Sequence, residues 1–142
     1  RAIGIRVCVI TNEKGEHGKA IQDLIDKWNG LPSSASEENP KGWPHVKLYL
    51  GMGGPNKIVA AQEWLQEIGV PFKQAAFMGD DVVDAQLLRK VGFSAAPVTG
   101  EPYIRKMVHF VSERAASYGA FRDLANFILE AKGINPITLP PQ

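Results

Sequence analysis

The chain has 142 residues, 44% of them hydrophobic and 22% charged, which is enough to bury a core and too apolar for intrinsic disorder. Sixteen Lys and Arg against fifteen Asp and Glu leave a formal charge of +1, without the basic excess of a dedicated nucleic-acid binder, so no direct nucleic-acid contact is expected. A single cysteine, Cys8, excludes a disulfide framework and a multi-cysteine zinc site, and no apolar run approaches the roughly 18 residues of a membrane span.

Ile5–Thr11 (IRVCVIT) is β-branched and almost continuously apolar, the pattern of a strand covered on both faces, which would make Cys8 a buried and inert thiol. His17–Trp28 carries Ile21, Leu24, Ile25 and Trp28 at helical spacing, with Gly30 as its stop. Leu31–Pro44 (LPSSASEENPKGWP) reads as an insertion, 31–45, long for a compact domain. Its Trp43 either packs locally or meets a partner. Val46–Leu50 (VKLYL) is a second strand, and Asn56–Ile68 a helix with Ile58, Ala61, Leu65 and Ile68 on one face. Ala75–Met78 is a third strand, broken at Gly79. A helix over Val82–Val91 turns Leu87, Leu88 and Val91 inward. Phe93–Ala96 and Val108–Val111 are short strands around a helical segment Pro102–Lys106, and a last helix runs from Ala120 to Lys132.

This β-α-β-α-β-α-β-(α)-β-α order predicts an α/β fold, a three-layer Rossmann-like domain with a parallel sheet. We place it over residues 1–136, with 137–142 as a C-terminal tail. Ligands of such sheets sit beyond the carboxyl ends of the strands, which directs attention to the loops after Thr11, Leu50, Met78 and Ala96.

The loop after Met78, Gly79-Asp80-Asp81-Val82-Val83-Asp84, sets three carboxylates close together, where they repel one another unless a cation or donors intervene. A hard cation such as Mg²⁺ takes one or two carboxylates and completes its shell with water and phosphate oxygens. The same acids serve equally as helix caps that favour the dipole. Gly51-Met52-Gly53-Gly54-Pro55-Asn56-Lys57 is neither a Walker loop nor a dinucleotide fingerprint, yet Lys57 adds positive charge to a helix start. An anion such as phosphate would fit there, and so would a solvated lysine. Thr11 and Asn12 could donate to phosphate oxygens or simply open the next turn. His17, His45 and His109 share no metal spacing, Trp28 and Trp64 fit packing roles, and Arg105, Lys106 and Arg114 read as a solvated face.

Taken together, hydroxyl, lysine and acid cluster at successive strand ends resemble the haloacid dehalogenase superfamily. Within it the resemblance is to the capless 3-deoxy-manno-octulosonate 8-phosphate phosphatase-like group, which includes the C-terminal domain of CMP-sialic acid synthetases. It is carried by GIRVCVIT, PNKIVAAQEWLQEIGV, AAFMGDDVVDAQLLRKVGFSAAP and YGAFRDLANFIL. The resemblance implies that Thr11 and Lys57 are catalytic, and that Thr11, Asn12 and Lys57 bind phosphate. It further implies that Asp80, supported by Asp81 or Asp84, binds Mg²⁺, provided that the family's first acid motif is present upstream. It implies a sugar-acid phosphate as substrate, no membrane association, and a tetramer or larger assembly in which a C-terminal segment, here Ala116–Asp123, reaches a neighbouring subunit. A receiver-like module would carry its paired acids after the first strand instead.

The family's first motif, a strand ending in Asp-x-Asp-Gly whose first Asp attacks phosphorus, has no counterpart in these 142 residues. The chain opens with Arg1 rather than Met, and the family's first β-α unit would lie upstream. Asn12-Glu13 stands where the phosphatases carry Gly-Arg, Ala116-Ser117-Tyr118 replaces Gly-Gly-Arg, and Thr99 replaces an acid. The expectation is therefore a domain that is not catalytic as it stands and serves oligomerisation or assembly. The alternative is part of an active Mg²⁺-dependent phosphatase whose nucleophile lies upstream. A soluble intracellular chain, cytoplasmic or organellar, is expected.

Overall fold

The computed structural model describes residues 1–140; Pro141 and Gln142, the end of the expected tail, lie outside the described residues. The chain divides into two compact units, one formed by Arg1–Gly53 with residues from Leu139, the other by Gly54–Thr138. Every strand pairing in both is parallel, so the fold class is the predicted α/β.

The first unit holds β1 (Val7–Ile10), α1 (Gly15–Asn29) and β2 (Val46–Tyr49). β1 and β2 pair from Val7 opposite Val46 to Ile10 opposite Tyr49. The sheet has two strands, and this corrects two expectations. All four residues of β1 are only half-buried, Cys8 included, because β1 has one strand neighbour rather than two. Of the four apolar residues expected inward on α1, Ile25 is buried whereas Leu24 and Trp28 are exposed. Two strands are too narrow to cover the whole stripe.

The insertion is folded, not loose. Its stem is closed by Asn29, whose Nδ2 donates to Val46 O at 3.0 Å and whose Oδ1 accepts from Val46 N at 2.8 Å. Ser34 is buried, donates to Trp28 O at 2.9 Å and bridges to Trp43. Arg1 donates to Ser34 Oγ, Pro44 O and Trp28 O, and its guanidinium lies 5.9 Å from the centre of the Trp43 ring. Trp43 thus packs locally.

In the second unit, α2 (Asn56–Glu67), β3 (Ala76–Met78), α3 (Ala85–Lys90), β4 (Phe93–Ala96), α4 (Pro102–Met107), β5 (Phe110–Val111) and α5 (Ala120–Ala131) follow in order. The sheet order is β3-β4-β5. Leu88, Ala96 and Ile104 form the core, with Phe77, Ala85, Met107 and Val108 packed against them. Leu87, Leu88 and Val91 are buried as the spacing requires. The helix predicted from Val82 begins with a 3-10 turn, Val82–Asp84, before α3. β3 ends on the loop that carries Asp80, Asp81 and Asp84.

Candidate active site

In the first unit, Thr11 extends the pairing beyond β1 through its N–H, which donates to Tyr49 O at 3.0 Å. Thr11 Oγ1 accepts from Glu13 N at 3.1 Å, the side-chain turn that the sequence allowed. Accepting that bond leaves the hydroxyl hydrogen able to donate to an anion. Asn12 is exposed, and a Cβ on Gly53 would come within 2.5 Å of its Oδ1, so its carboxamide lies against that glycine.

The second unit brings Lys57, Asp80, Asp81 and Asp84 together at the carboxyl end of β3. Lys57 Nζ donates to Asp84 Oδ1 at 2.5 Å, with the two side chains 14% and 2% exposed. The other oxygen, Asp84 Oδ2, accepts from Asp80 N at 3.1 Å and Asp81 N at 3.3 Å. This closeness needs Gly79: a Cβ there would stand 2.7 Å from Asp84 Cβ and 2.8 Å from Oδ2. A buried carboxylate with one cation and two N–H donors is fully compensated.

Asp81 takes the capping role that the sequence left open. Its Oδ1 accepts from Val82 N at 2.5 Å, and with Asp84 it completes a reciprocal capping box on the first turn. Asp80 differs from both. It is exposed, and among the described residues its carboxylate has no hydrogen bond or ion pair, while its backbone oxygen accepts from Glu101 N at 2.8 Å. Of the three acids expected at a metal, one is ion-paired, one caps a helix turn and one is available. Among the described residues no group of three or more His, Cys, Asp and Glu is arranged to hold a metal ion. A single carboxylate still suits Mg²⁺, which takes most of its shell from water and phosphate oxygens.

Sequence reasoning assigned Lys57 to an anion and Asp84 to a metal, and missed that they pair. The signal was present, since a lysine at one helix start and an acid at the next have complementary charge. A second cluster was also missed. Arg114 is not merely solvated: its Nε lies 3.1 Å from Asp123 Oδ1, and buried Ser112 donates to Asp123 Oδ2 at 2.6 Å. Nothing in the spacing of those residues announces that contact.

The chain matches the haloacid dehalogenase-like hydrolase family over residues 5–123. It is 29% identical over 86 residues to 3-deoxy-D-manno-octulosonate 8-phosphate phosphatase from Salmonella typhi, a span covering 61% of this chain and 46% of that protein. The Escherichia coli K12 enzyme of the same name gives 29% over 85 residues, 60% of this chain and 45% of the other. The chain therefore spans about half the length of the curated relatives it matches. Among solved structures, the phosphatase of that name from Yersinia pestis superposes with a TM-score of 0.69 at 25% identity, over 91% of this chain and 59% of the other. The Moraxella catarrhalis phosphatase, solved with magnesium, phosphate and KDO, shares the fold with a TM-score of 0.69 at 22% identity, over 91% and 63%. With more than half of its length matched by the family, and with these relatives, the chain belongs to the haloacid dehalogenase-like hydrolases and is related to the 3-deoxy-manno-octulosonate 8-phosphate phosphatases.

Proposed function

We propose that these residues form the phosphate- and metal-binding part of a phosphoric monoester hydrolase domain whose ligand is a sugar-acid phosphate, and that the 142 residues bind such an ester without hydrolysing it. The observation that carries this reading is the buried Lys57–Asp84 pair adjoining the exposed Asp80 carboxylate at one strand end. Lys57 is held rigidly by Asp84 and faces a phosphoryl oxygen with its remaining N–H donors. Thr11, with a hydroxyl donor, and Asn12, with an amide donor, are the first unit's own candidates for a phosphate group. Asp80 is the carboxylate for Mg²⁺, oriented by Asp84 through its own backbone N–H and by Glu101 through its carbonyl. Asp81 supports it by capping the turn behind. Mg²⁺ held by Asp80 would supply positive charge to offset that of the phosphate. The relation to the 3-deoxy-D-manno-octulosonate 8-phosphate phosphatases supports a sugar-acid ligand.

Covalent transfer in this family starts from an aspartate in an Asp-x-Asp strand, and no such pair occurs in the sequence. An Asp supplied upstream would make the assembled protein an active phosphatase. A second role, assembly, is supported by Tyr118 and Phe121, both exposed in the segment that, by the family resemblance, would reach a neighbouring subunit. This fits a homo-oligomer such as a tetramer, or a domain appended to a CMP-sugar synthetase.

Calorimetric titration with inorganic phosphate and Mg²⁺, alongside an assay of phosphate release from 3-deoxy-D-manno-octulosonate 8-phosphate, tests the reading. Mg²⁺-dependent phosphate binding, weakened about 10-fold or more in Lys57→Met, is expected, with no release above buffer. A wild-type chain that binds no phosphate sinks the proposal. Release of phosphate by the 142 residues overturns its non-catalytic half.

A further inference from the structure

We propose that Arg114 is a specificity-determining residue that receives the carboxylate of the sugar-acid ligand; the ligand class rests on the reading above. Arg114 is fixed at both ends. Its backbone N–H donates to Ser112 Oγ at 3.0 Å, and its carbonyl accepts from Val98 N at 3.2 Å. Its Nε pairs with Asp123, whose second oxygen takes the hydroxyl of Ser112, a residue with no solvent exposure. Both Asp123 oxygens are thereby engaged. The Arg114 side chain is 56% exposed, and its two terminal nitrogens have no partner among the described residues.

Gly119 leaves room for this arrangement. It sits at φ +99°, and a Cβ there would come within 3.1 Å of Arg114 Nη1 and 3.4 Å of Cδ. An arginine anchored through Nε keeps a planar pair of N–H groups, the geometry that grips a carboxylate with two parallel hydrogen bonds. Because Asp123 offsets the charge, selection rests on that fork rather than on net charge.

The position is also linked to the phosphate site. Val98 N and Thr99 Oγ1 bind Arg114 O and Ala116 N, tying the segment after β5 to the loop after β4. The same loop grips Asp80 through Glu101 N. Arg105, the other arginine bonded to this loop, has its Nε committed to Gly100 O at 2.9 Å.

The test is calorimetric titration of the full chain, with Mg²⁺ present, by three ligands: 3-deoxy-D-manno-octulosonate 8-phosphate, glucose 6-phosphate and inorganic phosphate. Arg114→Gln should weaken the first about 10-fold and leave the two ligands without a carboxylate unchanged. Equal weakening of all three, or of none, overturns the assignment. Should the wild-type chain bind no phosphate, the functional reading fails by itself, and free 3-deoxy-D-manno-octulosonate then decides the matter for Arg114. Binding lost in Arg114→Gln upholds it; binding unchanged, or absent from wild type, overturns it. Arg114→Lys, which keeps a cation beside Asp123 but lacks the fork, is judged by the same criteria if circular dichroism shows Arg114→Gln unfolded.

Discussion

Lys57 Nζ and Asp84 Oδ1 are 2.5 Å apart, and the pair joins the start of α2 to the turn after β3 with little access to water. The two partners are not equivalent. Asp84 also holds the backbone N–H groups of Asp80 and Asp81, whereas Lys57 has no second partner among the described residues. Asp84→Ala strands a largely buried ammonium and frees two amides, so it should cost about 3–5 kcal/mol. Lys57→Met leaves a carboxylate that keeps two donors and should cost less. Urea denaturation of both variants checks the order, and a larger loss for Lys57→Met would refute the account.

Gly79 is required by the same carboxylate. Gly79→Ala places a methyl 2.7 Å from Asp84 Cβ and 2.8 Å from Oδ2, so Asp84 must move away from Lys57 and from its two amides. Overpacking of this kind costs about 1–3 kcal/mol. Phosphate binding should fall together with stability, because the displaced acid no longer fixes Lys57. A variant that loses stability yet binds phosphate as wild type does would show that the pair does not set the lysine's position.

How far these relationships were legible varies by element. Val46–Tyr49, Asn56–Glu67 and Phe93–Ala96 lie where β-branching, helical spacing and Gly stops put them, because those segments are decided by local preference. Burial on α1 and β1 was misread because it depends on how many strands lie alongside, a fact outside any window of sequence. The strand expected over Val108–Val111 shrinks to Phe110–Val111, as Val108 packs into the core at the end of α4 instead. In the site, the acid cluster was visible as composition, but its division of labour was not. Which carboxylate pairs, which caps and which stays open is settled by Lys57, 27 residues from Asp84.

Asp80 should separate ligand chemistry from folding. It is exposed and its carboxylate makes no hydrogen bond or ion pair among the described residues, so Asp80→Asn should change stability by no more than about 0.5 kcal/mol. The amide keeps the shape and removes the charge a hard cation needs. Mg²⁺ should cease to strengthen phosphate binding in calorimetric titration, while the Mg²⁺-independent component from Lys57 persists. An unchanged Mg²⁺ effect would remove Asp80 from the metal site and return attention to Asp81.

The insertion makes its own prediction, through Asn29. Its carboxamide occupies both the N–H and the carbonyl of Val46, imitating a strand neighbour at the point where the chain re-enters β2. Val46 is buried, so Asn29→Ala leaves a donor and an acceptor without partners in a place water reaches poorly. A loss of about 1–3 kcal/mol follows. Asn29→Asp is the informative companion, because it can accept from Val46 N but repels the Val46 carbonyl, and it should fall at least as far as the alanine variant. Trp43 reports on the same event: its ring lies under Arg1, which is bonded to Trp28 O and Pro44 O, so loosening the stem should expose it to quenching by acrylamide. If Asn29→Ala lowers stability while Trp43 quenching stays at the wild-type level, the insertion holds its shape without its stem, through Arg1, Ser34 and the hydrogen bonds within residues 31–45.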